Sequence, residues 1–418
     1  MTSAALGPVQ PQERIQLVDV LRGFALLGIL QVNWGWNTSG ALSQLIEFFA
    51  EGSFYTSYSF LFGLGFALQM IRAEEAQRPF LVRYVWRTAI LFVIGAGHFI
   101  FIWGGDILHT YALIAPVLLL VRRVRPALIV ALAGAVLVVT MAPSVSPSAN
   151  GNVLRRASPE RVEADRILRQ TTIWNAYSHP PAWCQIIPGL TDAYRVQVCS
   201  RAAGVRYQVT QQYTRPDAWQ YWDSSILCMF LLGLYAGRRR LLRDAARHTR
   251  LLLWVGGVSL VLGLAGSGLS VYGDFFRAKG IALPDGVALW VSDYYIGNIG
   301  LALFYLSGLT LLFTHWRLGA RALAPLAHVG RMGLTNYLMQ SIMFSSILGA
   351  LGFNVMRDVK DGYGLLLINS FYVVQILYSY WWFKHFQFGP AEWAWRSLTW
   401  WRVQPMRIAH QPSAGGVP

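Results

Sequence analysis

Ten apolar stretches separated by arginine clusters constrain this chain more than any other feature. They run over 15–36, 54–71, 85–103, 107–121, 127–142, 220–237, 251–272, 294–314, 332–352 and 363–383. A spanning helix needs about 20 mostly apolar residues. Inside a bilayer the backbone must satisfy its own polar groups, which restricts spanning segments to helices or a closed barrel. The composition fits: 55% of the 418 residues are hydrophobic and 13% charged, too little polar surface for a soluble core of this size. The reading is an all-α, polytopic transmembrane helical bundle of about ten spans. The first stretch lacks the basic region, short apolar core and small-residue cleavage site of a signal peptide, so it reads as a retained span.

A net charge of +15 could suggest nucleic acid as a partner. The distribution of charge excludes that reading. Arg72, Arg78, Arg83 and Arg87, then Arg122, Arg123 and Arg125, then Arg238–Arg240, then Arg317, Arg321 and Arg331 occupy alternate connections. Short cytoplasmic connections carry the excess of arginine and lysine. Both termini are therefore expected in the cytoplasm, with the chain crossing the bacterial inner membrane many times.

Residues 143–218 form the exception, Pro- and Ser-rich at first, polar throughout and too long for a simple connection. They are expected as an extracytoplasmic insert between an N-terminal half (1–142) and a C-terminal half (219–387). Cys184 and Cys199 both lie in this insert, where an oxidising compartment favours a disulfide closing a ring of about 15 residues. Cys228 sits in an apolar stretch and reads as a small core residue. The tail, 388–418, opens with a helix over 389–401 after Pro390, its Trp393, Trp395, Trp400 and Trp401 suited to the inner interface. Glu392 and Arg396 are spaced there as an (i, i+4) pair.

The chemistry concentrates in residues 92–112, FVIGAGHFIFIWGGDILHTYA, where two apolar segments meet at a Gly-Gly-Asp corner. Ionisable groups among so many apolar residues are costly, so His98, Asp106 and His109 each need a partner, a cavity or a function. If both segments are helices, His98 lies roughly 9 Å below the corner at 1.5 Å per residue. Asp106 can be an ordinary N-cap as well as a site residue. His98 can be a buried structural histidine or a general base. Asp19 and Arg22 share a helix face near the opposite membrane surface, as a local ion pair or as part of a binding site. Asn33 ends the first span, and Asn336 and Gln340 lie four apart on one face of the ninth. No metal-ligand spacing, Walker loop or dinucleotide fingerprint occurs, and the GFALLG and GLGFA glycines read as helix-packing positions. Polar groups at both faces suit a protein that handles a charged molecule across the bilayer, enzyme or transporter alike.

The stretches RIQLVDVLRGFALLGILQVN, FLFGLGFALQ, GAGHFIFIWGGDILHTYA, GRMGLTNYLMQS and FGPAEWAWRSLT follow one another in an order that resembles the YeiB-like family of bacterial membrane proteins. The last two resemble that family's carboxy-terminal domain of unknown function. The match runs from about Arg14 to Met406, and the insert carries least of it. That family is grouped with transmembrane acyltransferases, among them the lysosomal heparan glucosaminide N-acetyltransferase and bacterial sugar O-acyltransferases, through D-x-x-R-G at Asp19–Gly23.

The resemblance implies transfer of an acyl group from a cytoplasmic acyl-CoA, such as acetyl-CoA, to a hydroxyl or amine of a sugar, lipid or small-molecule acceptor. The histidine those enzymes carry near the first span has no counterpart between Arg22 and His98, which moves the role of base to His98. Asp106 would orient it, and Arg22, with the basic loops, would attract the CoA phosphates. Asp19, Asn33, His109, Asn336 and Gln340 complete the candidate binding residues. Acyl-CoA is expected as a co-substrate rather than a bound cofactor, membrane lipids as neighbours, and a homodimer is compatible. The competing reading is a permease or exporter for a small anionic or lipid-linked solute.

Overall fold

The computed structural model describes residues 15–34, 40–103, 105–141, 216–278, 296–348 and 362–408. Apart from one antiparallel bridge between Phe386 and Arg407, the regular structure in them is helical. The first half comprises α1 (Gln16–Trp34), α2 (Gly40–Phe49), α3 (Ser53–Glu75), α4 (Leu81–Phe101), α5 (Leu108–Ile114), α6 (Val117–Val121) and α7 (Pro126–Met141). The second comprises α8 (Pro216–Arg238), α9 (Thr249–Ala278), α10 (Asn298–His315), α11 (Arg317–Arg331), α12 (Gly333–Ser341), α13 (Tyr363–His385) and α14 (Pro390–Trp400). Cys184 and Cys199, with most of the predicted insert, lie outside the described residues. Cys228 is buried with a free thiol, as its apolar surroundings in the sequence imply.

Among the described residues, six helical segments are long and apolar enough to cross a bilayer: Gln16–Trp34, Gln44–Glu75, Leu81–Phe101, Ala245–Leu269, Asn298–His315 and Tyr363–His385. Shorter apolar helices cover Leu108–Val121, Pro126–Val139 and Ser224–Arg238. The 21 residues of α4 rise about 31 Å, close to the thickness of a bilayer's hydrocarbon. The exterior of the bundle is apolar too. Val82, Val93, Leu120, Trp254 and Val261 are each at least two-thirds exposed, a surface that water would not tolerate and lipid covers.

Inside, α3 packs along α8, α9 along α10, and α1 along α11. Lipid tails are as apolar as leucine, so helices in a membrane associate through close packing rather than a hydrophobic drive. That makes small residues at crossings decisive. A Cβ on Gly23 would fall 2.1 Å from the Leu326 carbonyl oxygen, and one on Gly330 would fall 1.9 Å from that of Asp19. The glycine of D-x-x-R-G thus admits the backbone of α11. Tyr372 ties α13 to the same place, its hydroxyl donating to the Gly23 carbonyl at 2.6 Å.

Three elements depart from the sequence reading. The expected span at 107–121 is two short helices, because Pro116 has no N–H to continue the first and starts the second. Residues 317–331 are not a basic loop but the amphipathic helix α11, with Arg317 and Arg321 exposed and Gly319, Val329 and Gly330 buried. The expected span at 332–352 begins as α12, one residue after α11, and continues as a π-helical stretch over Ile342–Ile347. Clustered arginines concealed the helical period of 317–331.

Candidate functional site

The polar centre of the bundle sits where α4 turns into α5. His98 lies one turn before the end of α4, and its carbonyl accepts the Ile102 and Trp103 amides at 2.9 and 2.8 Å, which closes the helix. The chain then folds α5 back against α4. Gly95 permits this: a Cβ there would meet the His109 amide nitrogen at 2.4 Å. The return places Asp106 and His109 beside His98.

Asp106 bridges the two histidines. Its Oδ1 lies 2.7 Å from His98 Nδ1, and its Oδ2 lies 2.8 Å from His109 Nδ1 and accepts the His109 backbone N–H at 2.9 Å. The capping role and the site role therefore fall to one carboxylate. The Tyr337 hydroxyl donates to Oδ1 at 3.5 Å and receives the Ile107 N–H at 3.4 Å, both at the long end for hydrogen bonds. All three ionisable side chains are sealed, with 1%, 0% and 2% of the His98, Asp106 and His109 side chains exposed. An ionised carboxylate only accepts, so both histidines present Nδ1–H to it. The opposite nitrogens then differ. His109 Nε2 has the Thr110 hydroxyl at 3.4 Å, whereas His98 Nε2 is buried with no hydrogen-bond partner among the described residues. A neutral His98 fixed in this tautomer carries its lone pair on that unpartnered atom.

A second polar layer lies one turn along α12. Gly333 rests against the Tyr58 hydroxyl, and the charges of Arg22, Glu392 and Asp19 all act on that hydroxyl. Arg22 Nη1 is 3.3 Å from Asp19 Oδ1, the local pair expected from their spacing. Four residues separate Gly333 from Tyr337, about 6 Å of helix rise. The Asp19–Arg22 pair acts on Tyr58 beside Gly333, and the His98–Asp106–His109 cluster meets Tyr337, so both polar groups bear on α12.

Asn336 and Gln340 belong elsewhere. Asn336 Nδ2 donates to the Val329 carbonyl and to Ser379 Oγ, both at 3.1 Å, while Gln340 Nε2 donates to Gln375 Oε1 at 2.9 Å. Gln375 Nε2 returns to the Asn336 carbonyl at 3.0 Å. This buried network fastens α12 to α13, and none of its hydrogen bonds reaches Asp106 among the described residues. Asn33 sits half-buried at the end of α1, next to Trp34, whose ring lies 4.3 Å from that of Trp103 at the α4 exit.

The sequence reading passed over Tyr337, although it adjoins Asn336, because the helix face chosen was that of 336 and 340. Glu392, read as half of an (i, i+4) pair, has a different principal role. Its Oε1 accepts the Leu334 and Thr335 amides at 2.7 and 3.2 Å, and its Oε2 accepts the Thr335 hydroxyl at 2.5 Å. These bonds cap α12 from α14. Glu392 lies outside the spanning helices, and burial pushes its carboxyl up from the ordinary range despite those hydrogen bonds.

Among the described residues, no group of three His, Cys, Asp or Glu side chains is arranged to hold a metal ion. The arrangement can instead hold a proton acceptor at His98 Nε2 in a dry environment, with a carboxylate opposite to balance an imidazolium.

The model of the family described as protein of unknown function (DUF418) matches residues 236–402, which carry α9 to α14 and so supply Tyr337 and Glu392. The chain is 29% identical to the uncharacterized protein YxaH of Bacillus subtilis (strain 168), over 96% of this chain and 98% of that one. It is 26% identical to an uncharacterized 39.9 kDa protein encoded in the amylase 3′ region of Bacillus acidopullulyticus, over 96% and 99%. The uncharacterized protein YeiB of Escherichia coli (strain K12) is 38% identical across 74 residues, 18% of this chain and 19% of that protein. No solved structure matches the chain. The DUF418 match in the second half, with relatives that span the length of the chain and the local match to YeiB, supports a YeiB-like DUF418 family for this chain.

Proposed function

We propose that the chain is an integral membrane acyltransferase of the bacterial inner membrane, with both termini in the cytoplasm and about ten spans. It moves an acyl group from a cytoplasmic acyl-CoA to a hydroxyl or amine. The observation that carries this reading is the buried, unpartnered His98 Nε2, whose ring is held through Nδ1 by Asp106. In the reaction, Nε2 takes the proton of the acceptor hydroxyl or amine as that atom attacks the thioester carbonyl. The C–S bond then breaks, the thiolate leaves, and the imidazolium returns the proton to it. Asp106 keeps the tautomer and stabilises the imidazolium between the two events, a pattern in which loss of the orienting carboxylate is costly. Arg22 supports the reading as a partly buried cation held beside Asp19. So does a cavity of about 540 Å³ at the start of α1, lined in part by Gln16, Arg243 and Arg247, which suits the polar end of a CoA-sized donor.

The test uses purified full-length protein in lipid with labelled acetyl-CoA. Thioester turnover is expected from the wild type and is lost in His98→Ala and His98→Gln, while folding and donor binding persist. A His98→Gln protein with wild-type turnover overturns the assignment. The competing reading, a permease for a small anionic solute, draws on the depth of the same cluster, since titratable groups sealed in a bundle also serve as proton relays. Under it, both variants impair solute flux in proteoliposomes and acetyl-CoA is never consumed.

A further inference from the structure

The ends of α3 and α8, together with the turn after α6, form an open cavity of about 250 Å³. Met70, Ile71, Glu74, Arg122, Arg123 and Arg238 line it. Two of the arginines are braced by the backbone. Arg122 Nη1 donates to the Leu119 carbonyl at 2.5 Å, and Arg238 Nη1 donates to the Val124 carbonyl. Each guanidinium has five donors, so the bracing leaves most of them unspent. Arg123 is exposed and has no hydrogen-bond or ion-pair partner among the described residues. Glu74, the acid of the lining, forms no salt bridge with any of them among the described residues. Three cations and one acid therefore line the cavity, a surplus of two positive charges, with no salt bridge among them in the described residues.

The surroundings indicate what neutralises them. Leu120, two residues before Arg122, is 81% exposed and belongs to the lipid-facing surface. Met70 and Ile71 form an apolar flank of the cavity. The cavity is smaller than the roughly 300–1,000 Å³ of sites that enclose drug-sized molecules. A small anionic group such as a phosphodiester with its glycerol suits this volume, with acyl chains passing outward over Leu120. We propose that this is a seat for the headgroup of an anionic glycerophospholipid, its phosphodiester oxygens held by Arg122, Arg123 and Arg238. The proposal is independent of the chemistry at His98.

The full chain, purified in a zwitterionic detergent–phosphatidylcholine mixture, can be titrated with phosphatidylglycerol and followed by native mass spectrometry and thermal unfolding. Phosphatidylglycerol is expected to bind in preference to phosphatidylcholine and to raise the unfolding temperature. Arg123→Gln, which breaks no internal bond, should weaken phosphatidylglycerol binding about fivefold while leaving unfolding in phosphatidylcholine alone unchanged. Arg239→Gln, an exposed arginine outside the cavity, should leave binding as in the wild type. Equal binding of the two lipids overturns the proposal, and so does wild-type affinity in Arg123→Gln. An equal loss in Arg239→Gln reduces the effect to general surface charge and overturns it too. Millimolar inorganic phosphate that displaces the lipid and stabilises the protein just as well makes the site one for free phosphate, again against the proposal.

Discussion

At the scale of single residues, the candidate site reduces to what Asp106 does for its two histidines. Asp106→Asn keeps an oxygen for the His109 amide but offers an amide N–H where His98 Nδ1–H now donates. The ring must then flip or change tautomer. Turnover of acetyl-CoA is expected to fall about 10³–10⁴-fold, as in other carboxylate–histidine pairs, with little change in folding. Tyr337→Phe removes only two long hydrogen bonds, so its effect should stay within roughly tenfold, read as kcat in the same assay. His98, Asp106 and His109 were legible in the sequence because charge is conspicuous in an apolar run. Tyr337 was not, since a tyrosine in a spanning helix is ordinary and its neighbours Asn336 and Gln340 carry the stronger polar signal. Only the contact with a corner 231 residues away gives it a role.

At the scale of elements, backbone proximity and capping decide more than polarity. Gly95 and Gly97 look equivalent in the stretch GAGH, yet a Cβ meets the His109 amide at the first and nothing within 4 Å at the second. Gly95→Ala should push α5 off α4 and lower the unfolding temperature in detergent by several degrees. Gly97→Ala should be neutral or stabilising, by up to about 1 kcal/mol from helix propensity.

The tail helix provides a pH-dependent case. Burial gives Glu392 a folded-state pKa above the ordinary 4.5, so the folded chain retains a proton that the unfolded chain has released. The resulting stabilisation is full below about pH 4 and disappears as pH rises through the elevated folded value. Wild-type protein should therefore lose stability over that window more steeply than Glu392→Gln, as measured by thermal unfolding at successive pH values. Spans such as α4 and α13 were legible from apolar length alone. The helix α11 was not, because its arginines mark a membrane boundary equally well as a loop or as the wet face of a helix, and only its fit against Gly23 distinguishes the two.

For the whole molecule, the alternation of arginine clusters yields a topology that labelling can check. A cysteine introduced within 150–165 should react with an impermeant maleimide added outside spheroplasts, and mass spectrometry without reductant should find Cys184 joined to Cys199. Labelling only after the membrane is opened refutes the topology, and two free thiols refute the pairing. The order of synthesis matters as well. The Leu334 and Thr335 amides at the start of α12 are bonded by a side chain made 57 to 58 residues later. The helix that supplies it, α14, is held against α4 by Arg87 over Trp395 at 3.7 Å and Arg83 over Trp400 at 4.0 Å. A chain that ends before residue 388 contains all its long apolar helices but lacks Glu392, the acceptor for the Leu334 and Thr335 amides that open the helix carrying Tyr337. The cap of α12 can therefore form only after the last hydrophobic helix has been made. A truncated product would sit in the membrane as an assembled but uncapped bundle, a ready substrate for membrane-bound proteases.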